Sequence, residues 1–71
     1  MDYADRILTL RKNNSLTQKQ LAANAGISEM SIRFYENRRR QPACDALVAL
    51  ADAFNVSLDY LVGRSDNPKR Y

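Results

Sequence analysis

Between Ser28 and Pro42 the chain reads SEMSIRFYENRRRQP, with four arginines (Arg33, Arg38, Arg39, Arg40). Two large apolar residues, Met30 and Phe34, stand four positions apart among them. Guanidinium groups suit phosphates and the O6/N7 edge of guanine, and apolar side chains pack on thymine methyls. Enzymatic and metal chemistry finds little material. There is no histidine, Cys44 is the one cysteine, and Gly26 and Gly63 are the only glycines. Zinc sets drawn from Cys and His, His-based catalytic arrangements and glycine-rich phosphate loops are therefore excluded, and neither a cofactor nor a metal is expected.

The charges are unevenly spread along the 71 residues, whose net charge is +3. From Arg11 to Arg40 the basic residues Arg11, Lys12, Lys19, Arg33, Arg38, Arg39 and Arg40 face two acids, Glu29 and Glu36; from Pro42 onward three basic residues face four acids. A basic half beside a nearly neutral half points to a polyanion on one side of the molecule. The length allows one small domain, close to the size where a single core is only just enough. No apolar run nears the roughly 18 residues of a membrane span, and the acidic start MDYADR is not a signal peptide. The expected location is cytoplasmic and nucleoid-associated, away from membranes.

Five short helices fit the apolar periodicity, and no segment alternates with the period of two that marks a half-buried strand. The spacing predicts a first helix from about Asp2 to Asn13, with Tyr3, Ile7 and Leu10 on one face. Thr17 opens the second, where T-Q-K-Q has the form of a capping box and Gly26 follows the end. Ser28 caps a third helix ending near Asn37. A fourth runs from about Ala43 to Phe54 with Asn55 as its C′ residue, and Ser57 caps a last short one before Gly63. The expected fold is all-α, a compact five-helix bundle. Residues 1–63 form the domain and 64–71 a polar tail.

Ala22, Gly26 and Ile32 carry the sharpest local signal. Two helices joined by a tight turn need a small residue at their crossing, one permitting positive φ in the turn, and a branched residue locking the second helix down. That is a helix-turn-helix. The segments LTQKQLAANAGISEMSIRFYENRRRQP and LVALADAFNVSLDYLVG resemble the Cro/repressor-type (XRE) helix-turn-helix domain of phage repressors and bacterial regulators, over about Ile7 to Gly63. The resemblance implies a lambda-repressor-like fold and duplex DNA as partner, with the third helix in the major groove. It departs at Ala43-Cys44-Asp45, where the family often has Ser-Leu-Glu; the fourth helix thus lacks a hydroxyl cap, at about 1 kcal/mol, and Cys44 is expected to serve as a small hydrophobe.

At about 100° per residue, Ile32 and Tyr35 fall on one side of the third helix, and Met30, Arg33, Phe34 and Asn37 on the other. With Ile32 and Tyr35 in the core, Glu29, Met30, Arg33 and Phe34 form a base-reading face: Glu29 toward cytosine N4, Arg33 toward guanine, Met30 and Phe34 toward thymine methyls. The converse would bury Met30 and Phe34 and drive Arg33 and Asn37 inward. Thr17 and Ser28, as caps, place helix N-termini where phosphates bind. The resemblance adds Gln18 and Asn37 as phosphate contacts, and Arg11 and Glu36 as a structural pair tying the first helix to the end of the third. Arg38, Arg39 and Arg40 are expected to grip the DNA backbone. A homodimer on a near-palindromic operator follows, with Leu8, Val48, Tyr60 and the tail as interface candidates. The expected activity is repression of transcription. The alternative is a protein-interaction module such as an antitoxin, using the same surface.

Overall fold

The computed structural model describes residues 1–70; the last residue of the expected tail, Tyr71, lies outside the described residues. Five helices follow one another: α1 Tyr3–Asn13, α2 Gln18–Ala25, α3 Glu29–Glu36, α4 Cys44–Phe54 and α5 Leu58–Leu61. Among the described residues there is no strand. Each start is set by the residue before it. Asp2, Thr17, Ser28 and Ser57 each accept a backbone N–H from three positions on, and at Thr17 the capping box is complete, Gln20 Oε1 accepting the Thr17 N–H at 2.9 Å. Ala43 alone offers no side-chain cap.

All five helices stop in the same way. Ser15, Gly26, Arg38, Asn55 and Gly63 take positive φ, between 57° and 85°. The residue after each sends its N–H back across the turn: Leu16 to Arg11, Ile27 to Ala22, Arg39 to Phe34, Val56 to Ala51 and Arg64 to Asp59, at 2.8–3.0 Å. These bonds close the helix ends on their last carbonyls, and those of Ala22 and Ala51 also accept the N–H of Gly26 and Asn55. Glycine and asparagine adopt this conformation readily, whereas a serine or arginine there costs about 1–2 kcal/mol.

The core joins all five helices. Ile7, Leu21, Ile32, Leu50 and Leu61 are fully buried, with Ala22, Tyr35, Ala51 and Val56 packed around them. Each fully buried aliphatic side chain stabilises the fold by about 1.5–3 kcal/mol. α1 runs against α3, α4 and α5, while α2 lies on α3 and α4. α3 is thus held from one side by its neighbours.

One sequence expectation requires correction. Cys44 is exposed, because it occupies the first position of α4, where its side chain meets solvent rather than the core. Residues 64–70, the described part of the expected polar tail, are mostly exposed and make contacts to the bundle. The Ser57 N–H donates to the Pro68 carbonyl at 3.0 Å, and Arg70 pairs with Asp52 at 2.6 Å. Asp66 pairs at 3.1 Å with Arg6, a side chain 6% exposed whose guanidinium lies 3.9 Å from the centre of the Tyr60 ring.

Candidate nucleic-acid interface

α3 divides along its length as the angular spacing predicts. Ile32 and Tyr35 are buried, and Met30 is 59% exposed beside the exposed Glu29, Arg33 and Asn37. The converse orientation is excluded. Glu29 and Arg33 lie one helical turn apart and pair with each other at 3.4 Å, an exposed contact that is easily exchanged for another partner. Phe34 is less open than its position implies. It is half-buried, and the Arg40 guanidinium lies 5.3 Å from its ring centre.

The end of α3 is fixed by a mostly buried ion pair. Arg11 Nε donates to Glu36 Oε2 at 2.7 Å, and Arg11 Nη2 to Glu36 Oε1 at 3.0 Å. Arg11 Nη1 also reaches the Leu16 carbonyl at 2.9 Å, so the α1–α2 turn is held by the same group. The Glu36 carboxylate raises the Arg11 pKa above its ordinary value, chiefly by accepting these bonds. Gln18 joins the cluster, its amide donating to Glu36 Oε1 at 3.2 Å. Arg11 and Glu36 form an ion pair between α1 and the end of α3. The Gln18 amide keeps a second N–H, so a phosphate contact there would not require release of Glu36.

That hydrogen bond also sets the start of α2 beside the end of α3. The first amides of α2 are anchored by Thr17, and those of α3 by Ser28, whose Oγ accepts the Ser31 N–H at 3.1 Å. Both caps are exposed, leaving the helix starts open to an anion. Beyond Glu36, the Asn37 side chain accepts the Arg39 N–H at 3.1 Å, which shapes the arm that follows. The three arginines of that arm part company. Arg38 turns back to Asp2 and Asp5, and Arg40 lies along Phe34. No partner holds the Arg39 side chain among the described residues. The sequence names all three as phosphate candidates, at least one of them merely solvated, without saying which.

Among the described residues no group of His, Cys, Asp and Glu is placed to hold a metal, and no helix is long and apolar enough to cross a membrane. Of the interface candidates, Val48 is 41% exposed, while Leu8 and Tyr60 are half-buried, the latter beneath Arg6. Leu58, 42% exposed, was not singled out in the sequence; it lines with Val48 a groove of about 300 Å³ between α4 and α5.

The family model for the helix-turn-helix, HTH_3, matches residues 7–61. The chain belongs to the helix-turn-helix family, of the Cro/repressor (XRE) type. This helix-turn-helix is 42% identical over 66 residues to the uncharacterized HTH-type transcriptional regulator YobD of Bacillus subtilis strain 168, covering 93% of the chain and 59% of YobD. It is 39% identical over 64 residues to the cryptic phage CTXphi transcriptional repressor RstR of Vibrio cholerae serotype O1, covering 90% of the chain and 57% of RstR. The chain thus spans less than two thirds of the length of these curated relatives. Among solved structures, the P22 c2 repressor in complex with a synthetic operator superimposes with a TM-score of 0.85 at 29% identity, covering 92% of this chain and 98% of that one.

Proposed function

We propose that this chain is the DNA-reading domain of a sequence-specific transcriptional repressor, acting on double-stranded DNA with α3 in the major groove. The observation that carries this reading is the solvent face of α3. Glu29, Met30 and Arg33 stand exposed on a helix whose opposite side is locked by Ile32, Tyr35 and the Arg11–Glu36 pair. A helix that is rigidly held and bare on one side can enter a groove without reorganising. The relatives are named as transcriptional regulators and repressors, which favours DNA over a protein partner for this face.

Glu29, Met30 and Arg33 read base edges, with Phe34 at the margin of the contact. The helix starts at Thr17 and Ser28, with Gln18, Asn37, Arg39 and Arg40, take the phosphates on either side and set the register. A domain this small reaches few base pairs, so two copies on a near-palindromic operator, with half-sites about 34 Å apart, supply the specificity. The second copy is expected against the exposed Val48–Leu58 edge, where two of the four exposed large apolar side chains lie together.

Fluorescence anisotropy with labelled duplex DNA tests this over a range of salt concentrations. The logarithm of the association constant should fall linearly with the logarithm of salt, by about 0.9 per phosphate neutralised. Absence of binding even at low salt, or binding indifferent to salt, would contradict the reading.

A further inference from the structure

The arm after α3 is tied to the start of α1. Arg38 Nε donates to Asp2 Oδ2 at 2.9 Å, and Arg38 Nη2 donates to Asp2 Oδ1 at 3.1 Å and to Asp5 Oδ1 at 2.9 Å. Asp2 is at the same time the N-cap of α1, accepting the Asp5 N–H at 3.1 Å. Two residues further on, the Arg40 carbonyl accepts the Tyr3 hydroxyl at 3.4 Å. The backbone of Arg38 is itself in the left-handed region, at φ 64°. Both acids are therefore engaged by one guanidinium that bridges residues more than thirty positions apart.

A phosphate approaching Arg38 would meet two carboxylates and one guanidinium, a cluster with a net negative charge. Nε and Nη2 of Arg38 are already engaged, so only Nη1 is left for a phosphate, beside two carboxylates that repel it. Arg39 faces no such competition, since no group on the protein holds it among the described residues. Arg40 lies over the Phe34 ring, with its guanidinium 5.3 Å from the ring centre and no carboxylate paired to it among the described residues. The N–H groups of Asn37, Arg38, Arg39 and Arg40 bond back to the end of α3, and the contacts from Arg38 and Tyr3 tie that turn in addition to α1.

We propose that Arg38 is a positioning residue that locks the Arg38–Arg40 arm to the start of α1 through Asp2 and Asp5, and that Arg39 and Arg40, not Arg38, meet the DNA backbone. The second half of this statement rests on the DNA reading given above; the first half does not. The sequence expectation that all three arginines grip phosphates is revised accordingly.

Two measurements on the full chain test it. In the first, the salt slope of binding to a mixed-sequence duplex is compared across variants. Arg39→Ala should lower the slope by about 0.9. Arg38→Ala should weaken binding severalfold at every salt concentration with the slope unchanged, because the arm is loosened but no phosphate contact is lost. A fall of about 0.9 for Arg38→Ala would overturn the proposal. The second measurement needs no DNA. Thermal melting is followed for Arg38→Ala, for Asp2→Asn/Asp5→Asn, and for the three changes combined; asparagine keeps the cap at position 2 while removing the charge. The combined variant should melt no lower than Arg38→Ala alone, since each removes the same contact. Additive lowering would refute the lock. If the unaltered chain failed to bind any duplex, the DNA reading would fall, and the melting cycle alone would decide the role of Arg38.

Discussion

Replacing Glu36 by alanine removes the acceptor around which three elements meet. The Glu36 side chain is 7% exposed and that of Arg11 13%, so the pair is largely out of water. Its loss takes away two hydrogen bonds from Arg11 and one from Gln18. Arg11 would keep only the Leu16 carbonyl, as a nearly buried cation without an anion. Breaking a buried pair from one side typically costs about 3–5 kcal/mol. The surviving carbonyl contact and the residual exposure of Arg11 place this case near the lower figure, about 3 kcal/mol. For a domain of this size each kcal/mol lowers the melting temperature by about 4–8 °C, so a drop of roughly 12–24 °C is expected. Thermal unfolding followed by far-UV circular dichroism measures it directly. Glu36→Gln, which keeps the shape of the acceptor but not its charge, should fall between the two proteins. A loss below about 1 kcal/mol, the worth of an ordinary exposed pair, would refute the reasoning.

Further predictions concern other features of the fold. Ala43→Ser supplies the missing cap of α4 at an exposed position and should raise stability by about 1 kcal/mol in chemical denaturation. Gly26→Ala should cost about 1–2 kcal/mol, from positive φ alone, because nothing stands near the added carbon. Gly63→Ala should cost more in the same assay, since its Cβ would fall on the Met1 carbonyl oxygen and displace the start of the chain. The hydrogen bonds from Arg38 hold the Asp2 carboxyl below its ordinary value of 3.8. A carboxyl depressed in the folded state contributes stability in full above that ordinary value and loses it as pH falls through the folded one. Acid titration of the melting temperature below about pH 4 should therefore be shallower in Arg38→Ala than in the unaltered protein.

Much of this architecture is legible in the residues, and the parts that are not share a physical cause. Caps are local: Thr17 with Gln20, Ser28, Ser57, Gly26 and Asn55 each announce a helix end through chemistry confined to four or five positions. The turns at Ser15 and Arg38 use the same backbone geometry without glycine or asparagine at the left-handed position, so the helix ends near Asn13 and Asn37 are readable but the left-handed residues are not. Side-chain direction on α3 followed from angular spacing alone, because Ile32 and Tyr35 leave one orientation that keeps Arg33 and Asn37 in water. Contacts between distant segments stayed hidden. The Asp2–Arg38 bond, the pairing of buried Arg6 with Asp66, and the contact of Arg40 with Phe34 all depend on how the arm and the last residues lie against the bundle. No periodicity reports such returns. The Arg11–Glu36 pair would have been equally hidden without the family resemblance.

The central claim is that the exposed face of α3 determines which DNA is bound. Selection of bound sequences from a randomised duplex pool tests it, carried out in parallel with the unaltered chain, Met30→Ala and Arg33→Ala. The unaltered chain should enrich a near-palindromic site with half-sites about 34 Å apart. Each variant should relax the preference at particular base pairs of each half-site, by about 1–3 kcal/mol where the contact is specific. Enrichment of the same motif with equal stringency by all three proteins would contradict the claim, as would the absence of any enriched motif.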